Sequence, residues 1–517
     1  MGLYLIESYL SDMEQLWERV AALKEADFNA FDKQVQKETD RLKSALNSGT
    51  FDNPRATIGL EYEFYGVDES FEALRRVPRT VFEHIGFGKE LGLHNAELTT
   101  SPQPLGPHGL AAIQNAVQSA VLTAQATSTR CEPIKLASDG FWTIPPSGET
   151  AVGYLDSAAE RYGVIISSNM SGSPQYHAQS NVSTYEPQCL IDTPNVSFHS
   201  RTIMPVTLTT SIQPHYQVPV AADLPTYFGY VLRIAGPLVA LAVNSPFFPP
   251  SLYDEDATVE SVLTDGHLEN RVLAYESVMR DPNKPDKVRF PRDIESMAEA
   301  VDRLAGDPPI VPLELDSGDR FDDQFAHLRH KHGSYWRWVR PVFEGPSKSA
   351  ANVRIEFRPL PAQPTIRDSV AFLAVFAGLV HGLVHADHPV VELPWETARE
   401  NFYKAVSNGL SADLAWITAN GQRTSNTEEI YADLFEHTQR GLERQGFGPE
   451  DAARAFRPVR ERVDRRITPA SWKCDRLRHH AEYGETLATA VTAAQRDYLG
   501  EQADTLAEGV FTDWAGV

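Results

Sequence analysis

Cysteine is scarce in this chain of 517 residues, which contains three cysteines, at Cys131, Cys189 and Cys474. Their wide spacing provides neither a disulfide framework nor a Cys-x-x-Cys metal site, so we expect a reducing, cytoplasmic location. The first residues have no basic segment and reach Glu7 before an apolar stretch can form, and we therefore expect no signal peptide. No segment approaches about 18 uncharged apolar residues, and a membrane span is not expected.

Lysine is also rare, because only 12 of the 47 basic residues are lysine and the other 35 are arginine. Against them stand 70 acidic residues, which gives a formal net charge of −23 at pH 7. Such a field repels nucleic acid and anionic membranes. The hydrophobic and charged fractions, 42% and 23%, are those of an ordinary folded globular protein. An acidic, lysine-poor surface favours a halophilic protein, since concentrated counterions screen its self-repulsion.

Several common catalytic motifs are missing from the sequence. There is no Gly-x-x-x-x-Gly-Lys-Ser/Thr loop, and the glycine cluster from Gly86 to Gly92 does not follow a strong strand pattern. Neither a Gly-x-Ser-x-Gly elbow nor a His-Glu-x-x-His helix occurs. These absences argue against a P-loop enzyme, a serine hydrolase and a zinc protease.

The pattern of apolar residues divides the chain into three regions. Residues 1–53 have helical spacing and are predicted to form one long helix or a helical hairpin, and residues 54–393 are predicted to be a sheet-rich catalytic domain with intervening helices. Residues 394–517 are predicted to be helical, with amphipathic stretches at 395–407, 426–445, 449–466 and 472–498. The segment 155–196, rich in Ser, Asn, Gln and Pro, is predicted to be a long loop over a site.

Four predicted strands each place polar residues on a single face. Because side chains alternate along a strand, residues two apart point the same way. Pro214 is expected to make the third of these strands an edge or bulged strand. The four polar rows are Glu61 and Glu63; Glu97 and Thr99; Gln213, His215 and Gln217; and Arg354, Glu356 and Arg358.

Such rows are commonly the solvated faces of antiparallel sheets, and that interpretation remains open for each strand alone. Together they contain Glu, His, Gln and Arg and very few Lys or Ser, which is unusual for a solvated face. If they line one concave surface, neighbouring carboxylates require cations, and Mg²⁺ or Mn²⁺ suits carboxylate oxygens with one imidazole. Interleaved arginines suit phosphate, so the combination points to a nucleoside triphosphate.

The same segments carry a family resemblance. Gly59-Leu-Glu-Tyr-Glu-Phe64, Glu97-Leu-Thr-Thr-Ser-Pro, Gln213-Pro-His215 and Arg354-Ile-Glu-Phe-Arg resemble, in this order, the glutamate–cysteine ligase family. More broadly they are similar to the carboxylate–amine ligases of the glutamine-synthetase-like superfamily. The resemblance extends from about Ile58 to Thr365.

The resemblance implies an α+β fold in which a curved antiparallel sheet holds ATP and two or three Mg²⁺ (or Mn²⁺) ions on its concave face. It assigns the metal ligands to five residues of the polar rows. A second acidic residue, found in some relatives a few positions after the Glu-Leu-x-Thr motif, is absent here. The implied ligands are Glu61, Glu63, Glu97, His215 and Glu356.

The implied reaction activates a carboxylate with ATP to an acyl phosphate, which an amine then attacks. Glutamate and cysteine are the expected small-molecule substrates, and gamma-glutamylcysteine, a precursor of glutathione, is the expected product. Arg358 and Arg340 are the expected catalytic residues, because cations must stabilise the transferred phosphoryl group. Arg354, Arg271 and Gln213 are expected to bind ATP or substrate, with Arg271 on the substrate α-carboxylate.

Three alternatives remain from the sequence alone: a ligase for a different amine, a phosphotransferase on the same fold, and a non-catalytic binding protein. The sequence also leaves a homo-oligomer open. Trp336 and Trp338 fit either core packing or a substrate wall. The histidines from His381 to His388 are more typical of a helix C-terminus than of a metal site.

Overall fold

An antiparallel sheet is at the centre of the fold. The computed structural model describes residues 2–131, 133–182, 185–313, 315, 318–514 and 516–517, with side chains except at 2–12 and 129–131. The strands within these ranges are β1 (Thr57–Val67), β2 (Leu74–Arg75), β3 (Gly88–Lys89), β4 (Asn95–Thr99), β5 (Gln103–Pro104), β6 (Lys135–Ala137), β7 (Ala158–Arg161), β8 (Val164–Ser167), β9 (Leu190–Thr193), β10 (Val196–His199), β11 (Ile212–Val218), β12 (Val339–Glu344), β13 (Asn352–Phe357), β14 (Trp416–Ile417) and β15 (Arg423–Thr424).

Nine of these strands form one curled half-barrel, in the order β12-β13-β11-β1-β4-β3, with β2, β5 and β6 also paired to β1. The eleven-residue β1 is the central strand, because β11 pairs with one of its edges and β4 with the other. Its buried residues alternate from Ile58 to Phe64, so one face packs into the core and the other carries the glutamates. The predicted α+β class and curved antiparallel sheet are therefore confirmed.

The expectation that Pro214 marks an edge or bulged strand was wrong. β11 is an interior strand, and Pro214 pairs opposite Leu60 of β1 in a continuous ladder. The backbone N–H of Ile212 donates to the carbonyl of Leu360. Because residues two apart in a strand direct their backbone groups to the same side, an N–H at position 214 would point to that side as well. Pairing with β13 begins only at His215, so the missing N–H of proline interrupts no bond there.

Helices surround the convex side of the sheet and form both ends of the chain. Within the described residues the helices are α1 (Gly2–Lys24), α2 (Phe28–Asn47), α3 (Pro107–Cys131), α4 (Ala151–Leu155), α5 (Pro174–Ala178), α6 (Leu224–Ala242), α7 (Val259–Asp265), α8 (Asn270–Val278), α9 (Met297–Gly306), α10 (Ala326–His332), α11 (Ile366–His385), α12 (Trp395–Asn408), α13 (Thr427–Arg444), α14 (Pro449–Arg465), α15 (Pro469–Glu482) and α16 (Leu487–Thr505).

The helical ends agree with the sequence pattern in most places. The N-terminal residues form a hairpin of α1 and α2, with Asp27 accepting two backbone hydrogen bonds as the N-cap of α2. Three of the four C-terminal stretches are single helices. The fourth, predicted over 472–498, is instead two helices, α15 and α16, because Gly484 between them has a φ of +85°.

Two apolar helices fill the space behind the sheet. The stretches Ala221–Ala242 and Ile366–His385 are long and apolar enough to cross a membrane. Of the 18 most apolar consecutive residues in each stretch, however, 83% and 89% are buried inside the fold. α12 covers α6, and α13 and α14 cover α11. α11 and α13 approach so closely that a Cβ added at Gly382 would lie 2.0 Å from the carbonyl oxygen of His437. Both stretches come closer to the length and hydropathy of a membrane span than was expected from the sequence, but their burial makes them core helices.

Buried ion pairs connect the C-terminal helices to the sheet region. Lys473 of α15 donates to Asp139 at 2.5 Å and to the carbonyl of Asn244 at 2.9 Å, and both charged side chains are almost fully buried. Arg462 of α14 donates in the same way to Asp368 at 2.9 Å, again with both side chains inaccessible. A buried charge without its partner is costly, so these pairs fix how the C-terminal helices dock.

We predict that Lys473→Met lowers the free energy of unfolding by roughly 3–5 kcal/mol, because it leaves Asp139 buried without its cation. Arg478→Met is the matched control, since its pair with Asp475 is solvent-exposed and is expected to contribute about 0–1 kcal/mol. Chemical denaturation of both variants measures the difference. Equal losses in the two variants would contradict the structural role of the buried pair.

Candidate active site

The register of the sheet brings the four polar rows together on its concave face. Across β1, Glu61 stands opposite Gln213 on one side, and Glu63 stands opposite Glu97 on the other. Across the outer strands, His215 pairs with Glu356, and Glu356 pairs with Arg340. Side chains of directly opposed residues are neighbours, so residues far apart in sequence form one continuous polar surface.

Glu356 lies at the centre of this surface between two arginines. Arg340 donates to its carboxylate at 2.9 and 3.0 Å, and Arg358 pairs with the same oxygen. Burial alone would raise the pKa of Glu356, but the two guanidinium groups outweigh burial and hold that pKa well below its usual range. Glu356 is therefore ionised at neutral pH.

One carboxylate from β1 and one imidazole from β11 complete a first cluster with Glu356. Ligand atoms of Glu61, His215 and Glu356 all lie within 4.8 Å of one another. Burial and the nearby charge of Glu356 raise the pKa of Glu61 to about 7. Nε2 of His215 is buried without a hydrogen-bond partner and lies 3.5 Å from the Glu61 carboxylate.

A second cluster consists of Glu63, Glu90 and Glu97, where β1 pairs with β4. Glu63 accepts hydrogen bonds from the backbone N–H of Ser211 at 2.7 Å and from the Gln213 amide at 2.9 Å. Burial, together with the charges of Glu63 and Glu61, raises the pKa of Glu90 to about 8. Burial and these neighbouring glutamates also raise the pKa of Glu97. The carboxylates thus repel one another. Among the described side chains, no lysine or arginine forms an ion pair with these three glutamates, and the charge of Arg358 lowers the pKa of Glu90 by less than burial and the glutamates raise it.

Glu90 is the site residue that the sequence analysis missed. It belongs to the glycine cluster from Gly86 to Gly92, which lacks a strand pattern because β3 has only two residues. Gly88 pairs opposite Glu97, and this pairing brings the turn containing Glu90 to the cavity. The available signal was its position seven residues before Glu97. The family pattern suggested a further acidic residue after the Glu-Leu-x-Thr motif, whereas Glu90 lies before it.

A cavity of about 260 Å³ adjoins both clusters. Arg271, Arg340 and Arg358 form its cationic wall. Arg271 is nearly inaccessible and is fixed by two backbone carbonyls, those of Arg358 at 2.8 Å and Pro359 at 3.1 Å. Arg358 also donates to Gln213 at 2.6 Å. The cavity is therefore lined both by carboxylates and by fixed guanidinium groups.

Aromatic and loop residues form the remaining walls. Tyr275 and Trp336 line the cavity, whereas Trp338 is buried in the core beneath it. Tyr176 and Gln179, from the segment predicted to be a loop over a site, also line it, although that segment contains α5, the β7–β8 hairpin and β9. Of the ten residues predicted for the site, seven line the cavity, and Glu356 and His215 belong to the first cluster beside it. The tenth, Arg354, donates to Nδ1 of His215 at 3.0 Å.

The donor set fits a divalent cation. Oxygen-rich clusters with one imidazole are the sites that Mg²⁺ and Mn²⁺ accept, and the unpartnered Nε2 of His215 faces the carboxylates as a ligand would. Burial and neighbouring carboxylates raise the pKa values of Glu61 and Glu90, and a bound metal ion would offset both effects by supplying positive charge. A second group, His388, Asp433 and His437, also brings ligand atoms together. There, Asp433 already accepts bonds from Trp416 and Ala419, so hydrogen bonding explains the arrangement.

We predict that, in EDTA, the contribution of Glu61 and Glu90 to the free energy of unfolding decreases as the pH rises from about 5 to about 8. Because their pKa values are raised on folding, these two carboxyl groups bind more protons in the folded state than in the unfolded state in this window, so their contribution is largest at the acidic end. Added Mg²⁺ is expected to stabilise the protein more at the alkaline end, where the carboxylates are ionised. Denaturation midpoints across the range measure both effects.

Glu90→Gln is expected to reduce this pH dependence, because glutamine cannot ionise. Glu450→Gln removes an exposed carboxylate of α14 and is the matched control. If the two substitutions change the pH dependence in EDTA equally, the assigned repulsion is contradicted.

Solved structures that are similar to this chain over most of its length include three of ligases. A glutamate–cysteine ligase from Francisella tularensis in complex with AMP is 12% identical, with a TM-score of 0.49 over 88% of this chain and 94% of the other. A bifunctional glutathione synthetase from Pasteurella multocida is 14% identical, with a TM-score of 0.48 over 90% of this chain and 54% of that one. The complex between the prokaryotic ubiquitin-like protein Pup and its ligase PafA gives 12% identity and a TM-score of 0.38, over 86% and 72%.

No curated protein sequence matches the chain. The sequence profile of glutamate–cysteine ligase family 2 matches residues 57–495, which is most of the chain and includes every strand of the sheet. The resemblance found in the strand motifs is confirmed by this match. The chain belongs to glutamate–cysteine ligase family 2 and is an ATP-dependent carboxylate–amine ligase.

Proposed function

We propose that this ligase joins the side-chain carboxylate of glutamate to the amine of cysteine, with Mg²⁺ or Mn²⁺ and ATP, and so forms gamma-glutamylcysteine. The observation that carries the proposal is the position of Arg358. Its guanidinium touches Glu356 of the first cluster and Gln213 beside the second, and it faces the cavity. One cation therefore stands where a metal-bound phosphate and a substrate carboxylate would meet.

The size and charge of the cavity support substrates of amino-acid size. At about 260 Å³ it lies below the roughly 300–1,000 Å³ of pockets for drug-sized ligands. Arg271 is held rigidly at its wall and offers a fixed fork for a carboxylate. Tyr275 and Trp336 provide apolar surface beside it, which suits a small thiol side chain.

The proposed metal ligands are Glu61, His215 and Glu356 in the first cluster and Glu63, Glu90 and Glu97 in the second. Metal bound there would neutralise charge on the phosphates of ATP and on the transferred phosphoryl group. In the first step the substrate carboxylate attacks the γ-phosphorus, the bond to ADP breaks and an acyl phosphate forms. In the second step the amine attacks the acyl carbon, loses a proton, and inorganic phosphate leaves.

The arginines have separate tasks in these steps. Arg358 and Arg340, already paired with Glu356, are placed to stabilise the charge that spreads over the phosphoryl oxygens during transfer. Because Arg354 donates to Nδ1 of His215, the neutral imidazole carries its proton on Nε2. Binding a metal through Nε2 requires that proton to move to Nδ1 and Arg354 to turn away, toward Glu344, with which it already pairs at 2.9 Å.

We predict that a panel of carboxylates and amines, assayed for ATP-dependent phosphate release, gives the highest rate with glutamate and cysteine and yields a new amide. The net charge of −23 predicts that activity is retained or increased in molar KCl relative to low salt. Mass spectrometry of the product identifies the bond formed. A phosphorylated acceptor would exclude the ligase reaction, and a preferred amine other than cysteine would correct the substrate.

We also predict that Glu61→Gln and Glu356→Gln each weaken Mg-ATP binding and reduce kcat by a factor of about 10² or more, because a metal ligand and its charge are lost. Glu450→Gln is again the control. Isothermal titration with Mg-ATP and steady-state kinetics measure the two effects. If both site variants keep the binding and activity of the control, the metal assignment is wrong.

A further inference from the structure

An open groove lies on the other side of the segment that walls the catalytic cavity. In the extended segment 335–338, Trp336 faces the cavity, whereas Tyr335 and Arg337 line the groove. The groove has a volume of about 1520 Å³ and is bounded by α8, α12 and the chain between α8 and α9. It has no metal ligand and no cavity residue in common with the candidate active site among the described residues, and we name it the arginine groove.

The arginine groove is basic on a strongly acidic protein. Seven arginine or lysine residues line it against five aspartate or glutamate residues, whereas the whole chain carries 47 basic and 70 acidic residues. A concave surface that reverses the overall charge concentrates anions locally. The surrounding negative field, however, opposes a long polyanion such as nucleic acid, so the groove favours a small anion.

Three guanidinium groups in the groove have no carboxylate partner. Among the described residues, no carboxylate oxygen lies within 4.0 Å of Arg289, Arg292 or Arg399, whereas Arg337 in the same groove pairs with Asp307. The three are placed by other contacts and are at least partly accessible. Since guanidinium groups usually bind carboxylate or phosphate, three without such a partner in one groove form an incomplete anion site.

Aromatic rings hold two of these arginines. Arg292 stacks over Trp395, with 4.3 Å from its central carbon to the ring centroid, and Arg399 stacks over Tyr403 at 4.9 Å. Stacking uses the face of the guanidinium and leaves its in-plane N–H donors available. The rings therefore orient the arginines without consuming their hydrogen bonds, which is the preparation that an oxyanion site needs.

The groove contacts the catalytic arginines through Trp338. The backbone N–H of Trp338 donates to the carbonyl of Arg289 at 3.2 Å, and its carbonyl accepts the backbone N–H of Arg358 at 2.9 Å. Glu276 accepts bonds from the Trp338 indole at 2.6 Å and from the Tyr403 hydroxyl at 2.8 Å. A ligand bound by Arg289 and Arg399 would thus be connected, through Trp338 and Glu276, to the backbone of Arg358.

We propose that the arginine groove binds a small polyanion with phosphate or carboxylate groups, as a second ligand site separate from the catalytic cavity. The site uses Arg289, Arg292 and Arg399 as its oxyanion donors. This proposal concerns binding alone and holds whether or not the proposed substrates are correct.

Isothermal titration of the full chain with inorganic pyrophosphate, and separately with citrate, tests the proposal. EDTA is present so that no metal bridges the probe to the carboxylate clusters, and KCl is kept at the lowest concentration at which the protein still melts cooperatively. Arg289→Gln/Arg292→Gln/Arg399→Gln is expected to weaken binding about tenfold or more, since charged hydrogen bonds are lost. Arg423→Gln, an exposed arginine on β15 outside the groove, and Arg358→Gln, inside the cavity, are expected to leave it unchanged.

Binding of pyrophosphate alone identifies a phosphate ligand, and binding of citrate alone identifies a carboxylate ligand; either supports the site if the groove variant loses it. Binding of neither probe overturns the proposal, as does binding that Arg358→Gln removes and the groove variant keeps. If the triple variant does not fold, the single Arg399→Gln on the surface of α12 replaces it, with Arg423→Gln as its matched control. Equal affinities in these two single variants also overturn the proposal.

Discussion

The buried carboxylate of Glu356 sets the electrostatics of the whole concave face. Placed in the middle of the sheet without cations, it would be protonated and could neither bind metal nor hold the arginines. Arg340 and Arg358 keep it ionised, and in return they are held on the cavity side. Arg358 then reaches Gln213, whose amide donates to Glu63, so that one ion cluster connects both carboxylate groups. The other glutamates of the site, Glu63, Glu90 and Glu97, form no ion pair among the described residues, and a divalent cation would stabilise their ionised forms.

The sequence was most informative where one rule determined one outcome. Strand alternation places Glu61 and Glu63 on the same face whatever surrounds them, and the same holds for Glu356 and Arg358. Glu90 could not be found in this way, because it sits in a turn beside a two-residue strand and enters the site only through pairing with β4. Pro214 was misjudged for a related reason: whether its missing N–H matters depends on where the neighbouring strand begins, which is a property of the assembled sheet.

The arginine groove and the docking of the C-terminal helices lie further beyond sequence reasoning. Arg292 and Arg399 are more than one hundred residues apart, and no periodicity connects them. The contact between Lys473 and Asp139 spans a still longer separation, and each residue alone resembles an ordinary surface charge. Burial turns such residues into structural or binding groups, and burial is known only when all the elements are in place. The match of the family profile through residue 495 does, however, extend beyond the predicted end of the catalytic domain at residue 393.

The two apolar core helices have a consequence for how the protein is made. α6 and α11 have the length and hydropathy of membrane-spanning segments, and the helices that cover them, α12 to α14, follow them in the chain. A ribosome adds about 5–20 residues per second, so the eighty residues from the end of α11 to the end of α14 take roughly 4–16 seconds to emerge. During that interval the apolar surfaces of α6 and α11 are exposed on the nascent chain, where chaperones or a membrane can bind them. The apolar surfaces of α6 and α11 are therefore fully covered only after the C-terminal helices have been synthesised.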